Sequence, residues 1–350
     1  MMEDIKMTYK GRITYFILFF LLSIMLWNGN VYSQETLIFA DMAAPNSVTA
    51  KCAKWWGNEI EKRTEGKVKF EYYFGASLIG AYEQLTSVKN NMIQVTPYYS
   101  GYHPDMAPIP LIALFPMINR STLANGLKAA DEFFNNNSQV IDEFKKNNVK
   151  YMNPLFTAHG YMWSKKPINS ISDFKDLSVR AFGPFLTFVD ALGGSLVSLP
   201  VPEIYNSLER GVVESTFLYL TLGVSLNLQE VTKYLNTSNL GHNCGMPMVM
   251  NLDTWKKLPE DVKKVIEDVN KNIAIDNFVR IDKENYKKEL QFVKNEGIQI
   301  LEFSQSDLVK MQKIAREKVW NSYAKKLEEK GLSGMEIINE YIEITNKYQK

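Results

Sequence analysis

LSVRAFGPFLTFVDALGGSLVSLP, residues 177–200, reads as a strand, a turn, a helix, a second turn and a second strand. LSVRAF is short and strand-like, and Gly183-Pro184 turns the chain with proline poised at the first helical position. Gly193-Gly194 stops the helix, and SLVSLP returns as a strand. A strand–helix–strand unit of this size is the repeating piece of a sheet covered by helices. Flanking segments extend it: FTAHGYMWS (156–164) is strand-like, SISD (170–173) has capping-box spacing, and VVESTFLYL (212–220) is a further strand. Pro202-Glu203 opens a helix that Gly211 closes.

The same plan precedes it. TLIFADM, from Thr36, is a strand ending at APNS, where Asn46 or Ser47 can cap a helix from about Val48 to Arg63. KVKFEYYF (67–74) alternates, AYEQLTSVKN (81–90) is helical, and MIQVTPYY (92–99) is a strand with an aromatic end. Two such sets predict an α/β protein of two lobes, each a parallel or mixed sheet, with a cleft between them. FFNNNSQ (133–139) reads as a loop. The C-terminal third is mostly helical. LPEDVKKVIEDVNKN has Pro259, Glu260 and Asp261 in a first turn, and the helical pattern runs on to about Asn295. At 1.5 Å per residue that is roughly 55 Å, long enough to run along both lobes.

The 350 residues are 45% hydrophobic and carry a formal net charge of +1, so charge gives no case for nucleic acid. Lys6, Lys10 and Arg12 precede an apolar run over 13–27, and small residues follow near Ser33. This is the plan of a secretory signal peptide over residues 1–33, short for a membrane span. The mature protein is expected to be exported and free in solution. Cys52 and Cys244 are compatible with one bridge or with two buried thiols.

Catalytic signals are thin. The three histidines, His103, His159 and His242, form no metal-ligand cluster, and no nucleophile elbow or phosphate loop occurs. No cofactor is expected. Unusual residues fall instead at the carboxyl ends of strands, where open α/β sheets bind ligands. Those positions are Asn46, then Tyr98 and Tyr99, then Tyr161 and Trp163. Arg180 with Phe182 follows, and then Phe217, Leu218 and Tyr219. Asn243 completes the set read from position. Arg180 has no acidic residue within three positions, and a guanidinium among aromatics suits a carboxylate on an apolar body.

The order of four segments makes the chain resemble the solute-binding proteins of tripartite ATP-independent periplasmic (TRAP) transporters, the DctP-like family. They are EIEKRTEGKVKFEYYFGASLIGAYEQLTSVKNNMIQV (59–95), KPINSISDFKDLSVRAFG (166–183), LGGSLVSLPVPEIYNSLERGVVES (192–215) and VMNLDTWKKLPEDVKKVIED (249–268). The resemblance implies the two-lobed periplasmic binding protein fold, with lobe I at 34–157 plus 244–284 and lobe II at 158–243 plus 285–350. It implies strands crossing between the lobes, a long helix spanning both, closure on a ligand, and delivery to membrane permease subunits. By similarity, the family's carboxylate-gripping arginine falls on Arg180, and the glutamate of its EIY segment, expected to organise the pocket rim, falls on Glu203.

Two departures bear on the ligand. The sialic-acid branch has a second arginine that an ungapped count places at Gly160, and HGYMWSKK contains none. Many members place an asparagine after the last-named strand, where this chain has Leu218; Glu214 replaces an aspartate before it. These losses argue against a sugar acid, and a second carboxylate lacks an obvious cation. The expected ligand is a monocarboxylate with an aromatic or branched apolar body. The alternatives are a binding protein of an ATP-driven importer, a ligand sensor on the same fold, and a secreted α/β enzyme.

Overall fold

The computed structural model describes residues 34–155, 160–241 and 246–349, and residues 36–350 form one compact unit. Its strands are β1 (Glu35–Ala40), β2 (Val68–Tyr73), β3 (Val95–Pro97), β4 (Val149–Asn153), β5 (Tyr161–Ser164) and β6 (Ser178–Ala181). They continue with β7 (Ser195–Ser198), β8 (Ser215–Leu218), β9 (Tyr234–Asn236), β10 (Met248–Asn251) and β11 (Gln299–Leu301). The first lobe is built on a sheet of order β2-β1-β3-β10-β4, the second on a sheet of order β11-β9-β5-β8-β6-β7. Both are mixed: β1 runs parallel to β3, whereas β10 is antiparallel to β3 and β4. In the second sheet β6 is parallel to β7 and β8, and β5 is antiparallel to β8 and β9. The chain passes between the sheets from β4 to β5, from β9 to β10, and along the long helix into β11.

The unit at 177–200 forms as its residues dictate. Val179 and Ala181 are fully buried, and Arg180 sits mid-sheet, opposite Val197 on β7 and Thr216 on β8. Gly183 has φ +56°, a conformation costly for a residue with a Cβ, and Pro184 starts the helix Pro184–Ala191. In the first lobe Ser47, not Asn46, caps the helix Val48–Arg63, its hydroxyl accepting from the Ala50 amide at 3.2 Å. Ser170 and Asp173 make the expected capping box on a short 3₁₀ turn.

Three features depart from the sequence pattern or add to it. FFNNNSQ is no loop: Asn137 ends the helix Leu123–Asn136 and at once caps Ser138–Lys146, accepting from the Val140 amide at 2.9 Å. A single capping asparagine replaces a linker. Second, the long helix is Glu260–Asp268 and Ile275–Asn295 joined by a π-helical stretch, Val269–Ala274, for which an i, i+4 pattern gives no sign. There the Asn270 Oδ1 accepts from Trp56 Nε1 at 2.7 Å and from Asn153 Nδ2 at 3.0 Å, tying the long helix to the first lobe. Farther along, the Tyr286 hydroxyl meets that of Tyr161 on β5 at 3.1 Å, so the helix spans both lobes. Third, the last helix, Gly334–Gln349, packs on Leu123–Asn136 of the first lobe, where the expected boundaries assign 285–350 to the second. Tyr341 lies against Phe133, and Lys347 and Tyr348 both reach Glu132 at 2.7 Å.

Cys52 is buried in the first helix, and Cys244 lies outside the described residues. So does the apolar run at 13–27. Among the described residues no helix is long and apolar enough to cross a membrane.

Candidate functional site

Arg180 is 2% exposed. Its Nε donates to the Leu199 carbonyl at 3.1 Å, Nη1 to the Phe217 carbonyl at 3.5 Å and Nη2 to the Tyr102 hydroxyl at 3.2 Å. Leu199 and Phe217 stand at the carboxyl ends of β7 and β8, so the register of the second sheet aims the guanidinium at the cleft. The Phe182 ring lies 5.9 Å from Arg180 Cζ, within cation–π reach. Among the described residues none of these partners is a carboxylate. Burial draws the guanidinium's pKa down, and Tyr102 offsets this in part. A buried cation held only by neutral oxygens is able to take an anion, because a carboxylate would recover part of what desolvation costs.

A cavity of about 30 Å³ opens beside Arg180, room for one or two waters. The first lobe contributes Met42, Ala43, Tyr99 and Tyr102 to its walls, and the second adds Phe182, Val201, Phe217, Leu218, Tyr219 and Leu222. Among the described residues, Arg180 is the only charged side chain in that lining. A smaller recess of about 10 Å³ adjoins it, bounded by Gly160, Phe182, Phe185 and Phe217. Gly160, where an ungapped count sets the second arginine of the sialic-acid branch, shares this recess with three phenylalanines. Tyr102 and Phe182 bring the lobes together, with ring centroids 5.1 Å apart. Gly101 permits this approach, since a Cβ there would stand 2.2 Å from Phe182 Cε2.

The structure brings together Arg180, Phe182, Tyr99, Phe217, Leu218 and Tyr219 of the expected set. It places the others elsewhere. Tyr98 is turned into the first-lobe core, edge-on to Phe144 and near Asn147. Asn46 and Glu203 are exposed. Tyr161 pairs with Tyr286, and Trp163 is fully buried against Gly223. Asn243 lies outside the described residues. Sequence reasoning missed Tyr102, Val201, Leu222 and Met246. Tyr102 was the findable one, because it follows Tyr99 by three residues in the turn that leaves β3.

Behind the first-lobe wall sits Asp41, 1% exposed. Its Oδ1 accepts from the Tyr99 hydroxyl at 2.8 Å and from the Ala43 amide at 3.1 Å. Burial pushes its pKa up to about 6, against the lowering effect of these donors and of Gln84. Burial also raises Tyr99, with Asp41 adding to the effect, so the phenol keeps its proton. The Tyr219 hydroxyl lies 3.2 Å from that of Thr49.

A larger open groove, about 610 Å³, lies outside the cleft between the helix Leu123–Asn136 and the π-helical stretch. Several of its charges are paired: Lys150 with Glu267 and Glu132 with Lys347, while Tyr151 donates to Asp131. Among the described residues no group of three or more His, Cys, Asp or Glu is placed to hold a metal ion.

Residues 39–334 match the DctP family, described as bacterial extracellular solute-binding protein, family 7. Among solved structures, a TRAP solute-binding protein from Rhodoferax ferrireducens T118, in complex with copurified benzoate, is 20% identical with a TM-score of 0.80. The match covers 89% of this chain and 98% of that one. A marine metagenome TRAP protein specific for aromatic acid ligands, with 3-hydroxybenzoate, is 20% identical with a TM-score of 0.82, covering 91% and 100% of the two chains. One from Sulfitobacter sp. NAS-14.1, with bound β-D-galacturonate, is 15% identical with a TM-score of 0.76, covering 88% and 100%.

Proposed function

The chain belongs to the DctP family of bacterial extracellular solute-binding proteins, and on that premise we propose that it captures a monocarboxylic acid with an aromatic or branched apolar body and delivers it to the membrane permease of a TRAP transporter. The reading places the protein in the periplasm after removal of a signal peptide. One observation carries the ligand class: among the described residues, Arg180 is the only charged side chain lining a cavity otherwise walled by aromatic and aliphatic groups.

The guanidinium takes the ligand carboxylate through parallel N–H donors. Tyr102 joins it. Its oxygen already accepts from Arg180 Nη2, which leaves the hydroxyl proton to donate to the carboxylate. The apolar body fills the space toward Phe217, Leu218 and Met246, and the recess at Gly160 extends it. A second carboxylate would be buried without a cation, and a sugar acid's hydroxyls would face phenylalanine. The cavity as closed is far smaller than a ring acid, so entry requires the lobes to part. Closing then brings Tyr102 and Phe182 over the ligand. Among similar folds, the benzoate- and 3-hydroxybenzoate-bound proteins support an aromatic body, while the galacturonate-bound one marks the alternative that Gly160 and Leu218 disfavour.

Thermal-shift screening tests the class. A ligand present at a hundred times its Kd adds about 2.7 kcal/mol of stability, several degrees in a protein of this size. Benzoate or 4-methyl-2-oxopentanoate should raise the melting temperature, and succinate and sialic acid should not. The reverse pattern sinks the reading.

A further inference from the structure

We propose that Tyr82 is the outer leaf of a two-ring cover over the carboxylate end of the pocket, holding Tyr102 against Arg180 and setting how slowly a bound acid leaves. The inference rests on the function proposed above and adds to it a residue that governs release.

Tyr82 lies on the turn between β2 and the helix Gln84–Lys89. That turn is anchored by other residues. Ala81 and Gln84 are buried on either side of Tyr82, and the Gly75 amide donates to the Ala43 carbonyl at 2.8 Å. Tyr82 itself is 52% exposed, so the turn does not depend on it for its fold. What the ring covers is the informative part. It meets the Tyr102 ring edge-on, with centroids 5.3 Å apart and planes at 76°. Among the described residues the Tyr82 hydroxyl has no hydrogen bond, so the ring is the working part.

Exposure falls inward along one chain of contacts. Tyr82 is exposed, Tyr102 is half-buried, and Arg180 is 2% exposed. Tyr102 walls the cavity and accepts from Arg180 Nη2 at 3.2 Å; among the described residues Tyr82 is not part of that wall. The two rings therefore stand in series between solvent and the guanidinium. Against the lowering effect of burial, Tyr102 and then Tyr82 raise the Arg180 pKa, which puts Tyr82 within electrostatic reach of the cation.

The partners of Tyr102 have different fates when the lobes part. Phe182, 5.1 Å away, and Arg180 belong to the second lobe, so opening removes both. Tyr82 belongs to the first lobe, as Tyr102 does, and its contact survives. It keeps Tyr102 ready to close over an acid that has entered. Swinging Tyr102 aside to release that acid breaks the Tyr82 contact. An edge-on aromatic pair is weak enough to break and strong enough to slow release by about twofold to tenfold.

NMR exchange broadening of benzoate and of 4-methyl-2-oxopentanoate gives the release rate from the mature protein, and titration calorimetry gives the affinity. In Tyr82→Ala release should be about twofold to tenfold faster. Affinity should weaken by the same factor, with association unchanged. The ligand-free melting curve should stay with the parent's. Tyr82→Phe keeps the ring and should release at the parental rate. Release from Tyr82→Ala less than twofold faster overturns the inference and leaves the proposed function standing. So does an affinity loss that comes through slower association, or a loss of ligand-free stability as large as the loss of affinity. A Tyr82→Phe that releases as fast as Tyr82→Ala has the same consequence. If neither acid binds the unaltered protein, the proposed function falls and this inference with it.

Discussion

Replacing Arg180 with methionine separates the two roles a buried guanidinium can have. The side chain donates to Leu199, Phe217 and Tyr102, all neutral oxygens, at 3.1 to 3.5 Å. For the fold alone these bonds repay little, because desolvation of an ion costs several kcal/mol and neutral acceptors recover only part of it. For ligand binding the balance differs. A carboxylate gripped by two charge-assisted hydrogen bonds gains about 1.5–3 kcal/mol from each, roughly 3–6 kcal/mol in all. That corresponds to a loss of about a hundredfold to ten-thousandfold in affinity when the arginine is removed. Arg180→Met should therefore melt no lower than the parent protein without added acid, while titration calorimetry finds binding of benzoate weakened by at least a hundredfold. Arg180→Lys should fall between, since it keeps the charge but loses the planar fork. If Arg180→Met binds within tenfold of the parent, the guanidinium is not the carboxylate's partner. If it fails to fold, the bonds to Leu199 and Phe217 hold the sheet rather than the ligand, and the reasoning is wrong at its first step.

Gly101→Ala places a Cβ 2.2 Å from Phe182 Cε2 across the cleft. The strain exists only when the lobes meet, and overpacking of this kind costs about 1–3 kcal/mol. Affinity should drop about fivefold to a hundredfold with little change in ligand-free melting, and a loss of stability equal to the loss of affinity would contradict this. Glu143→Gln addresses the fold. Glu143 is 8% exposed, accepts from the Ile109 amide through Oε2 and has no partner for Oε1. Burial raises its pKa from 4.5 to about 8, against smaller lowering effects from the Ile109 amide, Lys330 and Lys146. The folded-state pKa is the higher one, so its stabilising contribution is complete below pH 4.5 and is lost as pH rises through about 8. Glutamine keeps an acceptor for Ile109 without the charge. The variant should melt above the parent at pH 9, by a margin of up to several kcal/mol, and the gap should close by pH 5. A gap independent of pH would show that Glu143 is not the titrating group.

The fold was legible wherever structure is local. Gly183-Pro184, the double glycine at 193–194 and the alternation of KVKFEYYF each state their turn or strand within a few residues, and the structure has them there. Legibility failed where a single side chain substitutes for a pattern. At FFNNNSQ composition suggests a linker, but Asn137 satisfies one helix's start at the other's end, so no linker is needed. The π-helical stretch was invisible for a related reason. Its justification lies in Trp56 and Asn153, each more than a hundred positions from the Asn270 amide they both reach.

The site divides along the same line. Arg180, Phe182, Phe217 and Leu218 could be found because strand ends in an α/β sheet point one way, and reading them in order assembles half a cleft. The other half comes from the facing lobe, whose angle no local signal encodes. There, adjacent tyrosines part company: Tyr98 turns inward to Phe144 while Tyr99 and Tyr102 line the cavity. Alternation predicts that Tyr98 and Tyr99 cannot share a face, so naming both already contained a choice that the sequence could not make. On the cavity side Tyr99 donates to Asp41, which follows β1 and is buried. A charged group buried just after one strand thus holds, by one hydrogen bond, the aromatic that follows the neighbouring strand and lines the cavity.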